Sequence, residues 1–285
     1  MRLPVLVRRH WFDAKDPIRF PDGKASNILR GGFGMALRAS APPETYERIF
    51  EPKRSGPGVP SGFADPPRPF LFRASHLDGQ TIDKHDDFHF DVHVFGDPAD
   101  ADAITATLDS LFQSGAGVGR GQARLTAIAD QTQMLDLYAA EPAASARVHL
   151  LTPTELKHEG RPWTKADFPV LIRRVRDRVW TLLSLYAAGC PATEADKALF
   201  NELAGQVRLT GSHLELRSTA RLSSRSGQTH SLSGIVGHAD YAGPLDAFIP
   251  YLRAAYYTGV GRHTVWGNGC LNTEILSEPS PSTSL

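Results

Sequence analysis

The stretch GVGRHTVWGNG, from Gly259 to Gly269, has residue types and spacing suited to phosphate chemistry. Glycine tolerates positive φ and lets another chain approach the backbone, so two GxG pairs five residues apart can present amides to a phosphate chain. His263 inside the loop is a candidate general acid or base, or it only hydrogen-bonds the loop. The alternative is a turn from helix to strand that needs glycine only to fold.

Arginines form two further clusters. Arg217, Arg221 and Arg225 recur every fourth residue in LRSTARLSSR, and on a strand this spacing places them on one face with Thr219 and Ser223. Such a strip suits a phosphodiester backbone, although a solvated edge strand is the alternative. The second cluster, on a predicted helix, is either a second contact with a phosphodiester backbone or a solvated helix face. The presence of Asp177 among the arginines favours the solvated face. Its members are Arg173, Arg174, Arg176 and Arg178.

HDDFHFDVH contains a possible metal triad, since His89, Asp91 and His93 share one face of a predicted strand. From first to last they span about 13 Å at a rise of ~3.3 Å per residue, too far for one ion without a bulge. A polar sheet face is the better explanation. The alternative is a metal-dependent hydrolase built on this triad, and it predicts an activity that chelation abolishes.

The elements that must position these residues follow one order twice. In the first half, the predicted order is strand (LPVLVRRHWF), helix (NILRGGFGMALRAS), strand (FLFRASHL), strand (DFHFDVHVFG), helix (ADAITATLDSLFQS) and strand (the segment after GVGRGQ). This is the order of a ferredoxin-like split βαβ unit. Half of the residues from Pro52 to Pro69 are Pro or Gly, which predicts a loop.

The second half repeats the order. Its predicted elements are a strand (ARVHLLTP), a helix (DFPVLIRRVRDRVWTLLSLYAAG), a hairpin of two strands (HLELRSTARLSS and HSLSGIVGHADY), a helix (PLDAFIPYLRAAYY) and a last strand (HTVWGNGCLN). GVGR precedes the last strand in both halves, at 117–120 and 259–262, which indicates a duplicated unit. We expect an α+β protein of tandem ferredoxin-like (RRM-like) βαββαβ domains at 1–130 and 146–277, a linker at 131–145 and a disordered tail at 278–285.

Composition narrows the class of protein. Net charge is zero, but residues 1–60 have 11 basic and 6 acidic residues whereas 61–140 have 5 and 12, so a local basic face is available. The two cysteines, Cys190 and Cys270, form no metal-ligand pattern and indicate a reduced protein. No apolar run is long enough to span a bilayer. We expect a cytoplasmic protein with no membrane partner and no cofactor.

Several segments, in order, resemble the RAMP superfamily of CRISPR-associated proteins. GVGRHTVWGNG is similar to the family's loop GhGxxxxxGhG, where h is apolar, with Asn268 at the second apolar position. The other segments resemble the branch that processes precursor CRISPR RNA: LRGGFGMALR with YERIFEP, FHFDVHVFG, HLLTPTELK and STARLSSRSGQTHSLSGIVGHADY.

The resemblance implies two RRM-like domains that bind a CRISPR repeat, often at its stem-loop, and cut it without a metal. A ribose 2′-OH attacks the adjacent phosphate, leaving a 2′,3′-cyclic phosphate and a 5′-OH. This reaction needs a base, an acid and cations around the phosphorane. Gly259, Gly261 and Arg262 of the loop, together with Arg173, Arg174 and the strip at 217–225, are then candidate RNA contacts.

The sequence departs from the family near the first helix, where many members place a catalytic histidine. No histidine occurs between His10 and His76. We therefore expect Arg30, Arg38, Tyr46 and His263 to form the catalytic site, with arginine holding the phosphate and not acting as a base. His10 is a further candidate. The alternative function is a non-catalytic RAMP subunit that binds crRNA and neighbouring subunits, and effector-complex subunits are expected partners in either case.

Overall fold

The computed structural model describes residues 1–52, 66–158, 160–187, 189, 193–222 and 229–276. Most of the predicted Pro/Gly-rich loop, the predicted tail at 278–285 and Arg225 lie outside the described residues. Within these ranges, no helix combines the length and apolarity that crossing a bilayer requires.

The first half forms one four-stranded antiparallel sheet with two main helices. Its elements are β1 (Arg2–Ala14), β2 (Ile18–Arg19), α1 (Ala25–Ser40), α2 (Pro43–Phe50), β3 (Phe70–Arg73), β4 (Thr81–Ile82), β5 (Asp87–Val94), α3 (Pro98–Ser114) and β6 (Ala123–Asp136). The strand order is β3-β5-β1-β6, and β2 pairs with β4 outside this sheet. The order βαββαβ is thus present, with α2 as an addition.

The second half repeats this topology. Its elements are β7 (Ser145–Thr154), β8 (Lys157–His158), β9 (Arg161–Pro162), α4 (Phe168–Tyr186), α5 (Glu194–Ala204), β10 (Arg208–Leu222), β11 (Thr229–Ala242), α6 (Ile249–Thr258) and β12 (Leu271–Ile275). The strand order is β10-β11-β7-β12, in which the unit's first and third strands are again central. The prediction of tandem ferredoxin-like domains is confirmed.

The two GVGR turns occupy equivalent places, because the first joins α3 to β6 and the second joins α6 to β12. The prediction that HTVWGNGCLN is the last strand is wrong. Residues Thr264–Trp266 form a 3-10 turn, and β12 begins only at Leu271. Positive φ at His263 (64°) and Gly267 (88°) is incompatible with a strand.

The boundary between the domains also differs from the predicted linker at 131–145. Strand β6 continues to Asp136, and β7 already begins at Ser145, so the connection spans 137–144. The strand is extended because Leu135 is buried in the core of the second domain.

The helices and sheets of the two domains pack in four layers. Helices α1 and α3 cover one face of the first sheet, and their core contains Phe12, Phe33 and Phe90. The other face of that sheet contributes Leu3 and Val5 to one continuous cluster with the helices and the sheet of the second domain. Helices α4 and α6 therefore lie between the two sheets.

Local signals explain where several helices begin. Asp97 caps α3 by accepting a hydrogen bond from the Ala99 amide, with Pro98 as the first helical residue. Helix α5, which the sequence analysis did not predict, begins with a capping box between Thr193 and Asp196.

Candidate functional site

The glycine loop of the second domain, residues 259–269, contacts the first domain. A Cβ on Gly267 would lie 2.5 Å from Oγ of Ser26, near the start of α1. Glycine at this position therefore permits close contact between the loop and the helix, and its φ of 88° also favours glycine. The contact brings candidate residues from opposite ends of the chain to one place.

Arg30 lies at the centre of this contact. The guanidinium carbon of Arg30 lies 4.5 Å from the centroid of the Phe50 ring and 5.3 Å from that of the Trp266 ring. Both contacts are within cation–π range. Gly34 makes room for Phe50, since a Cβ there would lie 2.2 Å from Cζ of that ring. The cation of α1 is thus held between α2 and the glycine loop.

The His263 ring lies on the Trp266 ring. It stacks on Trp266 with centroids 4.5 Å apart and planes at 20°. Nε2 of His263 lies 3.3 Å from Oε2 of Glu155, and the two side chains are 15% and 16% exposed. A mostly buried carboxylate beside an imidazole fixes the orientation of that ring, an arrangement that suits a group that transfers protons.

Glu155 also fixes the glycine loop. Its Oε1 accepts a hydrogen bond of 2.7 Å from Nη1 of Arg262, and its backbone carbonyl accepts one of 3.1 Å from the Arg262 amide. A Cβ on Gly261 would lie 2.4 Å from that same carbonyl oxygen. The close approach that requires glycine here is therefore an approach by the protein's own backbone.

Other loop amides are donated to protein acceptors as well. Val260 donates to the Gly269 carbonyl at 2.9 Å, and Gly269 donates to the Pro153 carbonyl at 3.1 Å. Gly259 donates to the Ala255 carbonyl at the end of α6. These bonds use three of the loop's amides within the protein, and the loop's candidate functional side chains are those of Arg262, His263 and Trp266.

Tyr46 and Arg38 continue the line away from the glycine loop. The Tyr46 ring stacks on Phe50 at 5.5 Å, and the guanidinium carbon of Arg38 lies 5.9 Å from the Tyr46 centroid. The Tyr46 hydroxyl donates to Oε1 of Glu51 at 3.2 Å. The structure thus places all four predicted catalytic residues in one row, which we call the ring–cation row: Arg38, Tyr46, Phe50, Arg30, Trp266 and His263.

Helix α6, which leads into the glycine loop, is fixed at its C-terminal end by side chains from three other elements. Each donates to one of the last three carbonyls of α6: Arg73 to Tyr256 at 2.6 Å, His93 to Tyr257 at 2.9 Å and Arg178 to Thr258 at 3.3 Å. Burial lowers the pKa of His93 to about 3, so the neutral ring donates. Positive groups at a helix C-terminus are favourable.

Comparison with known families decides what this architecture is. Residues 148–271 match the family model of the CRISPR-associated endoribonuclease Cas6, and residues 3–150 match a model described as an N-terminal domain. The match to the Cas6 model assigns the second domain to the CRISPR-associated RAMP-type endoribonucleases. The RAMP resemblance drawn from the sequence is thereby confirmed, and RNA cleavage is the activity of the family.

Solved structures of RAMP-type endoribonucleases share the fold along the whole chain. Thermus thermophilus Cas6 (TTHB231) matches with a TM-score of 0.61 at 17% identity, covering 96% of this chain and 99% of that one. A Cas6 (TTHA0078) product complex matches at 0.58 and 18% identity, covering 96% and 100%. A partial Cas6-RT-Cas1–Cas2 complex matches at 0.62 and 12%, covering 98% of this chain and 47% of that one. No curated protein matches the sequence.

The residues predicted to contact RNA differ in where they lie in the structure and in how exposed they are. Arg217 is exposed on β10. Arg221 lies on the same strand with a side chain outside the described part, and Arg225 lies outside it altogether. Arg262 is 55% exposed beside Glu155.

The helical arginine cluster divides into two pairs. Arg174 is exposed and Arg173 is half-buried, with its Nε donating to the Pro169 carbonyl at 2.8 Å. Arg176 and Arg178 are each 5% exposed. Neither a shared RNA contact nor a shared solvated face is therefore correct for all four, because two of them lie inside the second domain.

Two other sequence-based candidates have structural roles. His10 is fully buried and contacts Oγ1 of Thr105 at 2.9 Å, and burial lowers its pKa to about 4, so it is not a candidate acid or base for RNA. In the possible metal triad, Asp91 pairs with Arg9 and His93 donates to α6. His89 stacks on His76 at 4.9 Å. These contacts support the polar sheet face.

Sequence reasoning missed Glu155, Phe50 and Trp266 as parts of the site. Glu155 is 108 positions from His263 and Trp266 is 236 from Arg30, so no local spacing joins them. The weak signals that existed were three segments that resemble the family: YERIFEP contains Phe50, HLLTPTELK contains Glu155 and GVGRHTVWGNG contains Trp266.

Proposed function

We propose that the protein binds the repeat RNA of precursor crRNA and cleaves it by metal-independent transesterification where α1 meets the glycine loop. The observation that carries this proposal is the contact between Arg30 and Trp266, which places a cation of the first domain beside the His263–Glu155 pair. Structures of a Cas6 product complex and of a Cas6 substrate-mimic complex share the fold, and they support RNA as the ligand.

The reaction assigned to this place needs no group beyond the RNA and the protein. The 2′-oxygen forms a bond to phosphorus while the bond from phosphorus to the 5′-oxygen breaks, giving a 2′,3′-cyclic phosphate and a 5′-OH. His263, oriented by Glu155, takes the proton from the 2′-OH and returns a proton to the 5′-oxygen as that oxygen leaves. Arg30 stabilises the negative charge that develops on the non-bridging oxygens.

Arg38 and Tyr46 have a different role in this proposal, since they lie at the far end of the ring–cation row. Tyr46 supports Phe50, which in turn contacts Arg30. Arg38 is exposed in the last turn of α1 and contacts the RNA backbone beyond the scissile phosphate.

Incubation of the purified protein with its own repeat RNA in excess EDTA tests this function. Cleavage that persists in EDTA and is lost in His263→Ala and Arg30→Ala, while RNA binding persists, supports the proposal. Binding without cleavage under any condition favours the non-catalytic subunit. Cleavage abolished by EDTA and restored by a divalent ion favours a metal-dependent hydrolase.

A further inference from the structure

Three histidines lie side by side across the second sheet. In the strand register, His238 on β11 is opposite His149 on β7 and also opposite His213 on β10. The ring centroids of His149 and His238 are 6.1 Å apart, and those of His238 and His213 are 6.0 Å apart with planes at 27°. We call these three residues the histidine row.

The histidine row lies on the face of the sheet that points away from α4 and α6. Val148 and Leu150, on either side of His149, are in the core, as are Ala239 and Tyr241 after His238. Since side chains alternate along a strand, the histidines point to the opposite face. The His213 side chain is 75% exposed and that of His149 is 34% exposed.

The charges around the histidine row do not favour a bare phosphate. Nε2 of His149 lies 3.5 Å from Glu274, and Nε2 of His213 lies 3.8 Å from Glu215. In the neighbouring row, Arg147 makes a bidentate pair with Asp240 at 2.6 and 2.8 Å. These carboxylates offset positive charge, so the surface offers ring faces more than a cationic pocket.

A metal site does not fit either. The rings of His149 and His213 lie on opposite sides of His238, with centroids 6.1 and 6.0 Å from that of His238. One ion needs all of its nitrogen ligands at about 2.1 Å. Among the described residues, no group of three or more potential ligands has the geometry to hold an ion.

The position of the histidine row points to unpaired RNA. His149 and His238 are on the two central strands of a four-stranded antiparallel sheet, and RNA-binding domains with such sheets stack two or three bases on ring side chains there. Arg217 is on the same face of β10, four residues or about 13 Å beyond His213. The row therefore continues the predicted arginine strip.

We propose that the histidine row is a stacking site for unpaired nucleotides that flank the repeat stem-loop. The inference rests on the proposed function, because it takes repeat RNA as the ligand. It adds a second contact site, on the face of the second sheet opposite the helices, that recognises bases by stacking.

The test compares two RNAs by fluorescence anisotropy: the stem-loop alone, and the stem-loop with a single-stranded extension of about ten nucleotides. We expect the extension to increase the affinity of the wild-type protein, and the triple variant His149→Ala, His213→Ala, His238→Ala to lose that gain. The loss should be roughly fivefold or more for each stacked base. Affinity for the stem-loop and its cleavage should stay unchanged.

Three control variants sharpen the result. Replacing the three histidines by phenylalanine retains ring faces and should preserve the gain, whereas glutamine should not. The matched control is His76→Ala, His89→Ala, which removes a stacked histidine pair from the first sheet and should leave both affinities unchanged.

The outcomes separate this inference from the proposed function. Equal affinities of the wild-type protein and the triple alanine variant for both RNAs would overturn the stacking site alone, and the face would then suit a protein partner. Loss of the gain in the phenylalanine variant would also overturn stacking. Failure of the wild-type protein to bind either RNA would overturn both proposals.

Discussion

The guanidinium carbon of Arg30 lies 5.3 Å from the centre of the Trp266 ring, so a helix of the first domain and a loop of the second meet at the candidate site. Neither domain contains the site alone. The glycine loop is held by the bonds between Glu155 and Arg262, and α6 before it is held by three side chains that donate to its last carbonyls.

The first prediction concerns Arg30. If it stabilises charge in the transition state, Arg30→Ala should lower the single-turnover cleavage rate by about 100-fold or more, with little change in RNA affinity. Arg30→Lys should recover only part, because an ammonium lacks the planar contact with both rings. Arg38→Ala is the control and should change affinity more than rate. Equal rate losses in Arg30→Ala and Arg38→Ala would contradict this assignment.

The second prediction compares the two GVGR turns. A Cβ on Gly261 would lie 2.4 Å from the Glu155 carbonyl oxygen, whereas one on Gly119 meets no atom within 4 Å. Gly119→Ala should therefore cost about 1 kcal/mol, from its φ of 91° alone. Gly261→Ala should cost more and also reduce cleavage, since it displaces the carboxylate that orients His263. Thermal melting and cleavage assays of both variants check this, and equal losses in both would count against it.

The third prediction concerns Arg217. As an exposed cation on β10, it should contribute one phosphate contact, so Arg217→Ala should weaken repeat binding and reduce the slope of log affinity against log salt by about 0.7 to 0.9. The triple replacement of Arg217, Arg221 and Arg225 should reduce the slope by about 2. An unchanged slope in a folded triple variant would remove this strip from the interface.

The fourth prediction is acid destabilisation. The pKa values of His10 and His93 are lowered by burial from 6.5 to about 4 and about 3. Between pH 6.5 and these values the unfolded chain binds more protons than the native protein, so stability falls as pH falls. The loss between pH 7.5 and pH 5 should be roughly 2 kcal/mol for each histidine.

The variant His93→Gln isolates one of these contributions, because the glutamine amide can still donate to the Tyr257 carbonyl. Its decrease in melting temperature from pH 7.5 to pH 5 should be clearly smaller than that of the wild-type protein. A decrease of the same size would show that His93 does not account for the acid sensitivity.

Local patterns in the sequence were sufficient to predict the fold. Strand alternation, helical periodicity and the repeated GVGR predicted both βαββαβ units and their order. The missed α5 had a readable signal, the capping box of Thr193 and Asp196. The last strand was predicted to begin too early because the residues of VWG are typical of a strand. In the structure, positive φ at His263 and Gly267 on either side of this turn excludes a strand there.

The site was harder to predict than the fold. The four predicted catalytic residues do lie in one row, but the groups that join them, Phe50, Trp266 and Glu155, come from distant segments. The role of the loop amides stays a prediction, and the structure shows that the amides of Val260, Arg262 and Gly269 donate to carbonyls of the protein. Which amides are used internally depends on tertiary contacts that no local pattern contains.

Transesterification without a metal is tested most directly by analysis of the RNA ends produced in excess EDTA. We expect a 2′,3′-cyclic phosphate on the upstream fragment and a 5′-OH on the downstream fragment. A 2′-deoxy substitution at the nucleotide before the cut should abolish cleavage without loss of binding. A 5′-phosphate with a 3′-OH, or cleavage that survives the 2′-deoxy substitution, would exclude attack by the 2′-OH.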